Sequence, residues 1–278
     1  MGQMIMTESI KNQIEKLYLD GKSGSQILEL LPVSFKTTKT IYDVLRKRNI
    51  LFRKKEDYHY SRRSDFFEKI STKEQAYLLG LLITDGWITS DPDTSIGFSS
   101  VDKELTDLFP SHLETEDLRG ITFVPGGQSV LMPTGNISVK KDSWQFQIKD
   151  RKLKSDLINL GFLPQKTGNE LFPYIESHLV SHCLRGILDG DGTIYKISGV
   201  EQVGIKFYSG SSFFLRQISQ LIRTFGLADL AQVKPVSTIF YIEYSRLDFV
   251  TMLGNFIYQD SERLRLNRKY NLYKGTQE

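Results

Sequence analysis

Two stretches of this chain share one order of apolar and polar positions, Leu78-Leu79-Gly80-Leu81-Leu82-Ile83-Thr84-Asp85-Gly86 and Leu184-Arg185-Gly186-Ile187-Leu188-Asp189-Gly190-Asp191-Gly192. In each, an apolar helical run has a small residue four places after its first Gly (Gly80 with Thr84, Gly186 with Gly190) and then ends in Asp-Gly. Residues four apart share a helix face, so each helix carries a stripe of small side chains. Two such stripes in contact let the backbones approach closely, and Asp85 and Asp191 become neighbours. The stretch after each motif is repeated too. Ile96 and Phe98 alternate with Gly97 and Ser99 ahead of a predicted helix near 102–113; Ile205 and Phe207 alternate with Lys206 and Tyr208 ahead of one near 212–225. Trp144, Phe146 and Ile148 match Phe240, Ile242 and Tyr244, each strand leading to a helix, near 153–160 and 249–258. Period-two alternation makes these half-buried strands, and the chain is predicted to be a duplicated unit of helices and sheet.

Upstream the pattern changes. Ile10, Ile14, Leu17 and Leu19, then Ile27, Leu28, Leu30 and Leu31, then Ile41, Val44 and Leu45 predict three short helices, stopped by Gly21, Pro32 and Asn49. Residues 54–70 are polar, basic and weakly periodic, and are expected to be a linker that tracks a duplex. Residues 120–142, rich in Gly, Pro and polar side chains, are expected to be hairpin loops. The expected organisation is therefore 1–53, the linker 54–70, a first half 71–170 and a second half 171–278.

Two carboxylates facing each other at the negative ends of two helix dipoles need positive charge nearby. A hard divalent cation, Mg²⁺ above all, with Mn²⁺ as a substitute, suits Asp85 and Asp191 supplemented by the backbone carbonyls of Thr84 and Gly190 and by phosphate oxygens. The chemistry expected is metal-assisted phosphoryl transfer.

At these residues the sequence resembles the LAGLIDADG homing endonucleases, whose nine-residue motif carries the metal-ligating acid at its eighth position, here Asp85 and Asp191. Ile83 departs from the acidic sixth position of the motif, which Asp189 keeps in the second copy. The resemblance covers roughly residues 71–278, and two motifs in one chain resemble the monomeric, pseudo-symmetric branch. It implies an α+β fold of two αββαββα halves with antiparallel sheets facing DNA, a double-strand break at a long specific site, and a role in intron homing. It also implies a basic residue late in each half, for which Lys166 and Lys269 stand in comparable places. The stretch 21–53 resembles a resolvase-type helix-turn-helix, whose third helix is expected to present Lys36, Thr37, Lys39, Tyr42 and Arg46 to a major groove.

Net charge is only +3, yet positive residues crowd one region, among them Lys36, Lys39, Arg46, Arg53, Lys54, Arg62 and Arg63. Such a stripe is a footprint for phosphate backbones. Gln145, Gln147 and Lys149 in the first half, with Lys206, Tyr208 and Tyr241 in the second, fall on the polar strand face and are candidate DNA contacts. The one cysteine, Cys183, lies in an apolar run and is expected to pack rather than react. His59, His112, His178 and His182 have no zinc-ligand spacing, and are expected at the surface or flanking helices. No apolar run approaches membrane-spanning length and no signal peptide is recognisable, so the expectation is a cytoplasmic protein. The rival to a DNA endonuclease is a DNA-binding regulator or RNA maturase that keeps the duplicated fold with little cleavage. Both acids argue for the enzyme, because facing carboxylates repel phosphate.

Overall fold

The computed structural model describes residues 6–20, 22–31, 37–52, 63–115, 120–131 and 137–275. The chain divides into two compact units, Met1–Tyr58 and His59–Glu278.

The first unit holds three helices, α1 (Glu8–Leu19), α2 (Gly24–Leu30) and α3 (Lys39–Lys47). Thr7 caps α1, and Ser23 with Gln26 forms a capping box at α2, satisfying donors that a helix start leaves open. Ile14, Tyr18, Ile27, Leu31, Ile41, Val44 and Leu45 form a small core. Arg48 pairs with Glu8 and Glu15, tying the end of α3 to α1.

In the second unit, α4 (Lys73–Asp85) opens with a Thr72–Gln75 capping box and is buried on all sides from Gln75 to Ile83. A helix this apolar all round belongs in the middle of a protein. It leads into β1 (Gly86–Ile88), β2 (Ser95–Ser100), α5 (Lys103–Leu113), β3 (Ile121–Val124), the hairpin of β4 (Ser129–Leu131) and β5 (Ile137–Val139), β6 (Ser143–Lys149) and α6 (Arg151–Asn159). The order then repeats as α7 (Val180–Gly190), β7 (Thr193–Lys196), β8 (Val203–Ser209), α8 (Ser212–Thr224), β9 (Lys234–Val236), β10 (Ile239–Tyr244) and α9 (Leu247–Tyr258), with a further short helix α10 (Asn267–Lys274). The sheets have matching antiparallel orders, β1-β2-β6-β3 and β7-β8-β10-β9. The fold is α+β, two αββαββα halves as expected, and one apolar core runs through both.

Three expectations change. The stretch 120–142 is not all loop, because β3 pairs with β6 (Ile121 opposite Phe146) and completes the first sheet. The basic linker does not extend to residue 70: Phe66 and Phe67 meet edge to face at 4.9 Å and, with Ile70, are buried in the main core. His182 is a member of α7 and is buried, rather than flanking a helix.

Candidate active site

The site is built on the contact between α4 and α7. A Cβ added to Gly80 would lie 2.3 Å from the Cys183 carbonyl oxygen and 3.0 Å from the Cα of Gly186, and one added to Gly186 would lie 2.2 Å from the Tyr77 carbonyl oxygen. The backbones therefore touch, as the small-residue stripes predicted. The approach continues down the helices, where a Cβ on Gly190 would meet Thr84 Oγ1 at 2.0 Å and Asp85 Oδ2 at 3.3 Å. Thr84 turns its hydroxyl back to donate to the Leu81 carbonyl (2.8 Å), which keeps it inside the seam.

Asp85 ends α4 and Asp191 caps α7, so both stand at the electronegative ends of their helices. Burial, and then the charge of Asp191, push the Asp85 carboxyl up to about 7. Burial also raises Asp191, while Lys166 and Lys269 pull it back. Among the described residues neither carboxylate has a hydrogen-bond or ion-pair partner.

The two lysines lie beside these acids but bond to backbone. Lys166 Nζ donates to the Thr84 carbonyl at 2.6 Å. Lys269, which lies in α10, donates to the carbonyls of Leu188 (2.7 Å), Asp189 (2.9 Å) and Gly192 (2.7 Å), with Gly190 O farther off at 3.5 Å. Its three ammonium hydrogens thus face three carbonyls of the last turn of α7 and the turn that follows it, Leu188 O also accepting from Gly192 N at 3.0 Å. Burial lowers both lysines, Lys269 to about 8.

Each lysine segment also rests on the other half. Arg268 pairs with Asp102 at the start of α5 (2.8 Å), and Asn267 donates to Glu104 (2.7 Å). Conversely, Glu170 accepts from Ser209 Oγ at the end of β8 (3.3 Å), and a Cβ on Gly210 would lie 3.1 Å from Gly168 N. Asp102 adds negative charge near Lys269 and Asp85, and Glu170 near Lys166 and Asp191. Sequence reasoning passed over Asp102, Glu170 and Arg268, since nothing local sets them apart from surface charges.

Among the described residues no three His, Cys, Asp or Glu side chains gather where they could hold a metal. The donor set nevertheless suits a hard cation: two carboxylates that repel each other and have no partner among the described residues, beside helix-end carbonyls. Thr84 O already accepts from Lys166, whereas Gly190 O is the less engaged of the two predicted carbonyl ligands.

The polar sheet faces carry the residues expected there. Gln145 and Gln147 hydrogen-bond to each other (3.3 Å), and Lys149 pairs with Asp93 (3.1 Å). On the second sheet Lys206 pairs with Glu243 (3.1 Å) and lies over the rings of Tyr195 and Tyr241, while Tyr208 packs against Tyr241. Tyr195, which donates to Glu243, was not anticipated. Trp87 covers Gly97 and Tyr195 covers Gly204 across matching strand pairs, and the signal was available in a Gly inside each alternating strand. In the first unit Thr37, Lys39 and Arg46 are exposed, Arg46 pairing with Asp43 (2.7 Å). Tyr42 is not presented outward: it packs on Tyr18, Phe52 and Gly24, because its ring fills the gap left by that glycine. Arg63 lies over the Phe66 ring, and Lys36, Arg53, Lys54, Arg62 and His59 lie outside the described residues. Cys183 is buried and its thiol is pushed up by burial, in keeping with a packing role.

Residues 179–243 match the family model described as a LAGLIDADG-like domain. No curated protein matches the chain by sequence. Among solved structures, the homing endonuclease I-WcaI bound to its DNA recognition sequence is similar at TM-score 0.51 and 12% identity, over 90% of this chain and 97% of that one. The LAGLIDADG meganuclease I-AabMI bound to uncleaved DNA matches at TM-score 0.45 and 11% identity (72% of this chain, 87% of that one). The N-terminal LAGLIDADG domain of DUF199/WhiA matches at TM-score 0.41 and 11% identity (74% and 98%). The chain thus has the LAGLIDADG fold and carries a LAGLIDADG-like domain in its second half. No helix among the described residues is long and apolar enough to cross a membrane.

Proposed function

We propose that this protein is a site-specific DNA endonuclease that hydrolyses both strands of a duplex at the paired motif helices, acting as a monomer. One observation carries the reading: two neighbouring carboxylates, one from each pseudo-symmetric half, Asp85 half-buried and Asp191 open to solvent, stand together with no protein partner among the described residues. Keeping them so close is costly for stability alone.

Asp85 and Asp191 would hold divalent cations such as Mg²⁺ or Mn²⁺, with Gly190 O, and Thr84 O beside its lysine bond, as further donors. Such ions supply charge neutralisation at phosphate and a more acidic water. In the hydrolysis, water oxygen adds to phosphorus, the bond to the leaving sugar oxygen breaks, and that oxygen takes a proton. The chain's own part is positional and electrostatic. Lys166 and Lys269 hold the carbonyl ends of α4 and α7 and place positive charge beside each acid, where negative charge grows in the transition state. Because the two backbones of a duplex are related by a local two-fold axis, a pseudo-two-fold pair of acids presents one to each strand.

The polar sheet faces, with Gln145, Gln147, Lys149, Lys206, Tyr208 and Tyr241, provide donors and acceptors suited to base edges and phosphates. The exposed Thr37, Lys39 and Arg46 support a second DNA-binding role for the helices of the first unit. I-WcaI, which shares the fold, was solved on its DNA recognition sequence.

The test is incubation with Mg²⁺ and a library of duplex targets, followed by mapping of the ends. Wild type is expected to cut both strands of a narrow set of sites, and Asp85→Asn and Asp191→Asn to bind those sites without double-strand cutting. A wild type that binds selectively and cuts nothing would make the protein a regulator.

A further inference from the structure

The two motifs differ in charge at their second and sixth positions, Leu79 and Ile83 in one, Arg185 and Asp189 in the other. In the first half, Leu79 and Ile83 line a small cleft with Leu160, Phe162 and Lys166. In the second half the corresponding side chains reach into the segment that carries Lys269. Arg185, fully buried, donates to the carbonyls of Leu264 (2.6 Å), Ile257 (2.7 Å) and Gln259 (3.1 Å). Asp189, 1% exposed, accepts at Oδ2 from Leu266 N (2.8 Å) and from the hydroxyl of Tyr77 (2.8 Å), which belongs to the other motif helix.

Leu266 caps α10, and its carbonyl accepts from Lys269 N at 3.1 Å. The Lys269 ammonium then returns to the carbonyl of Asp189 itself. The bonds close a ring, from the Asp189 side chain through Leu266 and Lys269 back to the Asp189 backbone. Lys166 has only its bond to Thr84 O as an anchor of this kind among the described residues.

We propose that Asp189 is a positioning residue for the second centre: by holding Leu266 it sets the start of α10 and fixes the Lys269 ammonium beside Asp191. This rests on the nuclease reading above. A buried carboxylate is retained here at a cost that an apolar side chain would avoid, as Ile83 does in the first motif. The two centres are then built unequally, one locked through a polar ring and one resting on apolar packing.

The experiment uses a supercoiled plasmid carrying a site that wild type cuts, with Mg²⁺ and each strand labelled separately. Asp189→Leu removes both acceptor bonds; Asp189→Asn keeps a carbonyl that can accept them. Asp189→Leu is expected to slow one strand by about tenfold or more, the usual effect of losing a support behind a ligand, so that nicked circles accumulate. Asp189→Asn should cut both strands within about threefold of wild type, a small fraction of that effect. Equal loss on both strands, unchanged cutting by Asp189→Leu, or an Asn variant as defective as the Leu variant would overturn the proposal. Amide hydrogen exchange supplies a readout without cleavage and, in wild type, without a variant. The Leu266 amide should be strongly protected in wild type and Asp189→Asn; rapid exchange in wild type, or full protection in folded Asp189→Leu, overturns the positioning role. A wild type that cuts nothing ends the nuclease reading while the exchange measurement still decides the bond.

Discussion

Gly190 lies directly against Thr84, so that a Cβ on the glycine would come within 2.0 Å of the threonine hydroxyl and 3.3 Å of an Asp85 oxygen. The closeness of the two acids is therefore set by contact along the whole seam, backbone to backbone at Gly80 and Gly186 and glycine to threonine side chain at Gly190.

A methyl group at that start has nowhere to go. Gly186→Ala would press on the Tyr77 carbonyl and Gly80→Ala on that of Cys183, neither of which can swing aside as a side-chain tip can. Each substitution should cost at least about 2 kcal/mol in urea unfolding, within the range of overpacked cores. A loss below about 0.5 kcal/mol, the scatter of neutral surface changes, would mean that the helices are not in contact there.

The paired acids oppose folding in the absence of a cation. In chelator at pH 8, Asp85→Asn removes one of two neighbouring like charges and should raise the melting temperature. A shift of roughly 2–4 °C corresponds to about 1 kcal/mol in a domain somewhat smaller than this. Adding Mg²⁺ should stabilise wild type more than the variant. A variant that melts below wild type in chelator would contradict the electrostatics.

His182 makes stability depend on pH in a defined direction. Buried in α7 and accepting a hydrogen bond from Arg185 (2.9 Å), it is pushed down to about 4 from 6.5, by burial first and then by Arg185 and Lys73, with Asp260 and Glu74 opposing. The unfolded chain takes up this proton below about pH 6.5, the folded chain only near 4. The group's contribution is therefore complete above 6.5, is lost as pH falls from 6.5 to 4, and changes no further below. Unfolding curves of wild type and His182→Gln between pH 7 and 4.5 should converge or cross in favour of the variant as pH falls; a constant gap would show that His182 is not held neutral.

Removing Met1–Tyr58, a compact unit of its own, should weaken DNA binding and flatten its salt dependence. Each duplex phosphate that the shortened protein no longer neutralises should lower the slope of log affinity against log salt by about 0.9. An unchanged slope would assign the basic helices another role.

The acids were legible in the sequence because a duplicated motif carries its own register: the small residues of Gly80 and Gly186 dictate which faces meet, and the acids follow five residues later. The strands were legible through alternation, as at Phe146 and Ile148 or Ile205 and Phe207. Lys269 was found, but its carbonyl cage was not, because α10 is short and is held by Asp102 and Asp189, both far away in the chain. β3 and β9 give weak patterns, since their side chains are largely exposed and β9 contains Pro235. Phe66 and Phe67 were hidden by the charged residues around them, although two adjacent aromatics already argue for burial.

The crossed bracing of the lysine segments has a further consequence. A chain severed between the halves would yield two pieces, each lacking the wall against which its own cation-bearing strap leans. Neither fragment on its own would be a half-strength version of the whole; function would return only when the two reassociate, and would then rise with the product of their concentrations.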